Sequence, residues 1–181
     1  EKWNLHRRIA LSIVQFTGTN GNQIILGFIL ATGFISMWLS NTATTMMMLP
    51  IAASVISVVE SKNQHNPQMR FFAVSMMLAI AYAANFGGIA TIIGTPPNVA
   101  YASFVSKQLN NDISFSAWMM IGLPVSLLLL FSLYVVLIKL FPSRIDSNDE
   151  MRLLIKNELN ALGPMTVPEK RVLYIFITTA S

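Results

Sequence analysis

Residues 9–59 contain no Lys, Arg, Asp or Glu. A polar triplet, Ser40-Asn41-Thr42, divides this run into two mostly apolar arms, residues 23–39 and 43–59. Each arm has about 17 residues, the lower limit for a helix that crosses a bilayer. Ser, Asn and Thr all suit the N-cap position, so the pattern predicts one helix ending at the triplet and another starting there. Backbone groups freed at membrane depth must be satisfied by protein, water or a ligand. The triplet is therefore either a structural turn or a binding site.

Residues 71–106 form a second charge-free stretch. As one straight helix it would reach about 54 Å, against a hydrocarbon core of about 30 Å. Gly87-Gly88 and Gly94-Thr95-Pro96-Pro97-Asn98 supply the breaks. The expected result is a helix to about Phe86, an unwound middle, and a short helix from Pro96 to about Leu109. Trp118 to Leu140 reads as an ordinary span. Near the start, Trp3, Leu5, Ile9, Ile13 and Phe16 lean to one side, with His6, Arg7 and Arg8 polar, as in an interfacial helix. Near the end, Ser147 and Glu150 form a capping box, and Gly163-Pro164 stops a second surface helix. The expected organisation is an interfacial arm over 1–17, a re-entrant hairpin over 22–60, and a broken helix plus a regular span over 68–141. A second arm follows over 146–163, and a further transmembrane helix starts over 168–181.

Composition fixes the solvent. The chain is 54% hydrophobic and 11% charged, with a mean hydropathy of +0.57. A soluble domain carries about 25% charged residues. With a third charge-free stretch at 113–138, the chain reads as an all-α, multi-pass integral membrane protein. The pI near 9.6 then reflects loop charge that orients the protein, and no nucleic-acid partner is expected. There is no cysteine, hence no disulfide. If the triplet segment enters and returns on one side, and the two later stretches cross and return, all Lys and Arg except Lys107 share one face. The positive-inside rule expects such a bias. It cannot separate a re-entrant hairpin from two full spans, but short arms and a tip without flanking charge favour re-entry. The chain starts without Met and stops soon after an apolar run opens at Val172. It reads as a piece of a longer transporter.

The two breaks carry the chemistry. Each is followed by a helix N-terminus, with free N–H groups and about half a positive charge. Two such ends converging would bind an anion without Lys or Arg. A cation could complete the charge match. Ser36 and Ser40 are four apart and would share a helical face. With the Asn41 side-chain oxygen and carbonyls around Gly94 they make a neutral oxygen cage suited to Na⁺. Proton coupling would more typically use an intramembrane Asp, Glu or His, and the charge-free stretches hold none. Simpler readings exist for several positions: helix packing for Ser36 and Met46-Met47-Met48, close backbone approach for Gly87-Gly88, and kinks for Pro50 and Pro96-Pro97.

Three stretches carry a resemblance: Trp3-Asn4-Leu5-His6-Arg7-Arg8-Ile9-Ala10-Leu11, Ser40-Asn41-Thr42 through Pro50, and Gly87-Gly88 through Asn98. At these residues the chain resembles the divalent-anion/sodium symporter family, the sodium-coupled dicarboxylate and citrate carriers. The resemblance implies that the triplet is the tip of a re-entrant hairpin. Ser36, Ser40, Asn41 and the Gly94 carbonyl would hold Na⁺. Asn41, Thr42, Thr95 and Pro96 would face a substrate carboxylate. It further implies symport of a di- or tricarboxylate such as succinate, not an enzyme, through an elevator-type movement in a homodimer of the plasma (inner) membrane. The two arms would link a mobile transport domain to a scaffold. The family's inverted repeat implies a second Ser-Asn-Thr hairpin, so this chain is expected to be one half of the architecture. An anion exchanger or sulfate-type carrier of the same fold is the nearest alternative. An ion channel would call for charged rings or a repeated filter, and an intramembrane hydrolase for a nucleophile with a basic partner; neither pattern is present.

Overall fold

The computed structural model describes residues 12, 13, 16–18, 20–62, 68–109, 112–142, 157, 160 and 163. Apart from isolated positions, the expected arms and the helix start at 168–181 lie outside the described residues. At Gly163 the backbone is left-handed, φ 66°, and its N–H bonds to Asn160 O at 2.9 Å, as a helix-stopping glycine does.

Five complete helices occupy the described residues, which contain no strand: α1 Gly21–Ser36, α2 Asn41–Lys62, α3 Gln68–Gly88, α4 Pro96–Leu109 and α5 Phe115–Leu140. Local chemistry sets their starts. Gly18, φ 113°, turns the chain ahead of α1, and Gln23 Oε1 accepts the Asn20 N–H at 3.3 Å. Ser40 caps α2: its Oγ accepts from Ala43 N–H at 3.3 Å and its carbonyl from Thr44 N–H at 2.9 Å. Pro96 opens α4 where a missing N–H costs nothing. Ser114 Oγ caps α5 through Ala117 N–H at 3.2 Å. Pro50 and Pro124 lie inside α2 and α5, where each removes one ladder bond.

α3 is the central helix, packed against α1, α2 and α5. A short link over 63–67 joins α2 to α3, and at the opposite end Asn41 meets Asn85; the two helices are therefore antiparallel. Gly33 lies against Gly87, and Met37 against Thr91, so α1 approaches this end in the same direction as α3. α1 and α2 thus form a helical hairpin whose tip sits beside the C-terminal end of α3. The core beneath the tip is made of Ile24, Phe28 and Ile29 from α1, Met48 and Ala52 from α2, and Phe72, Met76 and Ile80 from α3. Leu130, Leu133 and Leu137 of α5 close it. The Met46-Met47-Met48 packing expectation holds for Met48, fully buried, and Met47, half-buried against the core; Met46 is 69% exposed.

Among the described residues, α3 and α5 are long and apolar enough to cross a membrane, whereas α1 is shorter. The outer side of α5 leaves Met120, Ile121, Leu128 and Phe131 exposed. In water that row would invite aggregation; against lipid tails it meets its own kind.

Candidate functional site at two adjoining helix breaks

α1 does not run on to the triplet. After the ordinary bond from Met37 N–H to Gly33 O at 3.2 Å, the turn tightens, with Trp38 N–H on Ile35 O, three residues back, at 3.1 Å. The chain turns through Met37, Trp38 and Leu39 to the capping Ser40. Ser36 and Ser40 therefore do not share a helical face, as their spacing predicts; the helix that would align them stops at Ser36. Ser36 pairs instead with Asn41.

The Ser36 hydroxyl is fully buried, and its Oγ lies 2.6 Å from Ala84 O and 2.8 Å from Asn41 Oδ1. A hydroxyl has one proton. With that proton on the nearer acceptor, Ala84 O, Ser36 Oγ and Asn41 Oδ1 face one another with lone pairs and no proton between them. Three neutral oxygens thus converge at the tip of the hairpin. Asn41 is fixed from its other side, because its Nδ2 donates to Asn85 Oδ1 at 3.0 Å. Asn85 Nδ2 in turn donates to Ala81 O at 2.8 Å.

Glycines bring the second break up against the first. A Cβ on Gly87 would run into the backbone of Gly33, so these two helices touch main chain to main chain. A Cβ on Gly88 would lie 2.5 Å from Asn41 Oδ1. One on Gly94 would strike Gly88 O. Gly94, Gly88 and Asn41 are therefore in succession. The carbonyls freed where α3 ends are largely collected. Asn98 Nδ2 donates to Gly88 O at 2.9 Å and to Thr91 O at 2.8 Å, and Trp118 Nε1 to Ile89 O at 3.0 Å. Thr91 Oγ1 donates across to Met37 O at 2.5 Å, which ties the unwound loop to the hairpin turn.

The remaining predicted positions are placed as follows. Ser40 and Thr42 are exposed at the start of α2. Thr95 is half-buried and Pro96 exposed where α4 begins. Among the described residues, the Ser36–Asn41 contact is the one direct side-chain pairing within the predicted set. The two helix starts are not equivalent as donor sites. Asn41 and Thr42 are the first two residues of α2, where a helix leaves its N–H groups without intrahelical partners. Pro96 and Pro97 have no N–H, and that of Asn98 bonds to Thr95 O at 3.1 Å. α4 therefore offers fewer donors than the simple picture of two open N-termini. Sequence reasoning missed Asn85, the Ala84 carbonyl, and the roles of Thr91 and Asn98. Asn85 had a signal: it is the lone carboxamide of residues 71–88.

A family model, the sodium:sulfate symporter transmembrane region, matches residues 1–180. The chain belongs to this symporter family. It is 38% identical, over 98% of its length, to the sodium-dependent dicarboxylate transporter SdcS of Staphylococcus aureus strain NCTC 8325 / PS 47. The same identity holds for the SdcS proteins of strains bovine RF122 / ET3-1 and COL. The chain spans 35% of the length of these curated relatives. The resemblance drawn from the triplet and the Gly-Thr-Pro-Pro-Asn loop thus stands at family level. This symporter family is one of membrane transporters and not of enzymes, which agrees with α3, α5 and the apolar exterior.

Proposed function

We propose that this chain forms one ion-and-substrate half-site of a sodium-coupled carrier for di- or tricarboxylates such as succinate. The observation that carries the proposal is the convergence of Ser36 Oγ, Asn41 Oδ1 and Ala84 O at the tip of the hairpin. Relatives named as sodium-dependent dicarboxylate transporters support it. A neutral, all-oxygen donor set fits a hard alkali cation and not a transition metal. The facing lone pairs of Ser36 and Asn41 are what a cation relieves. Ser36 and Asn41 would hold Na⁺, with Ser40 and the Gly94 carbonyl as further ligands. Bound there, Na⁺ supplies the positive charge that the charge-free stretches lack.

A substrate carboxylate would sit beside it. The N–H groups at the start of α2 face an anion with the favourable end of the helix dipole. Asn41, Thr42 and Thr95 supply side-chain donors, and Pro96 shapes the wall. In this reading the α1–α2 hairpin is re-entrant and α3 and α4 cross as one broken helix. The chain is then half of an inverted-repeat, elevator-type homodimer in the plasma (inner) membrane. The second repeat completes the contacts to the other carboxylate.

The test is uptake of radiolabelled succinate into proteoliposomes by the full-length carrier. Uptake should require a sodium gradient. Asn41→Ala should lower it by about 100-fold or more, since it deletes bonds to both cation and anion. Uptake unchanged when choline replaces sodium would falsify the coupling. The sulfate in the name of the family model favours one second reading, a sulfate carrier built on the same fold. Sulfate uptake with no competition by succinate would establish that reading instead.

A further inference from the structure

We propose that Asn85 is a positioning residue that aims the Asn41 side-chain oxygen at the sodium site. This inference rests on the sodium reading above. The two ends of a carboxamide differ only by their partners: the oxygen accepts and the nitrogen donates. A rotation of the Asn41 amide by half a turn would replace its oxygen with an NH₂ group beside Ser36. That would present protons to the cation. Something must forbid the rotation.

Ser36 cannot. Its hydroxyl can accept as well as donate, and with its proton on Ala84 O it would accept a bond from a rotated Asn41 amide, whereas the oxygen now facing it receives none. Gly88 leaves room on the oxygen side and imposes no direction. The direction comes from the chain of bonds on the other flank. Ala81 O is a backbone carbonyl and can only accept. Asn85 must therefore turn its Nδ2 to Ala81, at 2.8 Å. Its Oδ1 is then left facing Asn41 and accepts from Nδ2 at 3.0 Å. With its nitrogen held there, Asn41 has only its oxygen to give to Ser36 and the tip. The polarity of one α3 carbonyl is thus passed through two carboxamides to the cation site. Both carboxamides lie on residues that the turn and the α3 terminus bring together, and Asn85 itself is exposed, with no packing duty to explain it.

The experiment is a sodium titration of the full-length carrier in detergent, followed by its thermal shift without organic anion. Succinate uptake in proteoliposomes is read in parallel. Asn85→Ala should raise the half-saturating sodium concentration about three- to tenfold, the worth of one hydrogen bond. The KM for succinate at saturating sodium and the maximal rate should stay within about twofold, because the bound ion then holds the Asn41 oxygen itself and leaves the amide facing the anion as in the parent. Asn85→Gln keeps both a donor for Ala81 O and an acceptor for Asn41 Nδ2 without adding charge, so it should bring the sodium dependence back to within about twofold of the parent. Melting without sodium checks the fold. Three results would overturn the proposal: an unchanged sodium dependence in Asn85→Ala, a sodium-free melting point lowered in step with sodium affinity, or Asn85→Gln no better than Asn85→Ala. A parent protein that sodium neither stabilises nor drives removes the sodium reading together with this one. Sodium dependence in the parent with no effect of Asn85→Ala removes this one alone.

Discussion

Asn98 shows how much a single side chain does at a helix break. Its one NH₂ group donates to Gly88 O and Thr91 O, two carbonyls that a continuous helix would have paired. Asn98 is itself buried. Asn98→Ala should leave both acceptors short and lower the stability of the purified carrier by about 2–4 kcal/mol, read as a fall in melting temperature. Asn98→Asp should be worse, because it sets a charged acceptor against two carbonyls. A melting point within a degree of the parent for both variants would dismiss this role. The Pro-Pro-Asn motif marked Asn98 as part of the loop, yet its partners were not legible. Nor was the pairing of Ser36 with Ala84 O or of Asn41 with Asn85. Helical spacing says which residues share a face of one helix. It says nothing of the height and rotation at which a second helix docks, and these set every bond that spans the two breaks.

Helix starts and stops were more readable, because they depend on local chemistry. A proline at the first position of α4, Ser114 ahead of α5 and Ser40 ahead of α2 all act within a few residues of themselves. The end of α1 was read too late, since the turn is made by Met37, Trp38 and Leu39, none of which is a turn former. Their geometry answers to the contact between Met37 O and Thr91. Contact between α1 and α3 yields a paired prediction. Gly87→Ala places a methyl against the Gly33 main chain, which cannot swing away, so the helices must separate. The variant should lose folded yield, or several kcal/mol of stability, about 1–3 or more for overpacking alone. Gly88→Ala meets the end of the Asn41 side chain, which can rotate. That variant should fold and lose sodium-dependent uptake. Gel filtration and uptake measured on both proteins check the contrast, and equal behaviour would contradict it.

At the scale of the molecule, the charge pattern and the packing bear on orientation. Arg70 stands at the start of α3, and Lys107 near the end of α4. In the proposed topology, with α3 and α4 crossing in succession, these two residues would lie on opposite faces of the membrane, and Lys107 would be the lone basic residue of its face. The chain has no cysteine, which makes labelling direct. Single variants Arg70→Cys and Lys107→Cys, in a carrier free of other cysteines, should react with an impermeant maleimide from opposite sides. Labelling from one side by both would remove the single crossing.

One bond has a mechanical consequence. Thr91 of the unwound loop grips Met37 of the hairpin turn, and Gly87 of α3 rests on Gly33 of α1, so the two breaks with the helices leading into them are fastened at two points. Parts fastened twice cannot pivot against each other like the jaws of a gate. Opening one to release an ion would drag the other along. In the carrier proposed above, the two would travel as a single block with the cargo pocket intact, and the hinges would lie elsewhere in the chain.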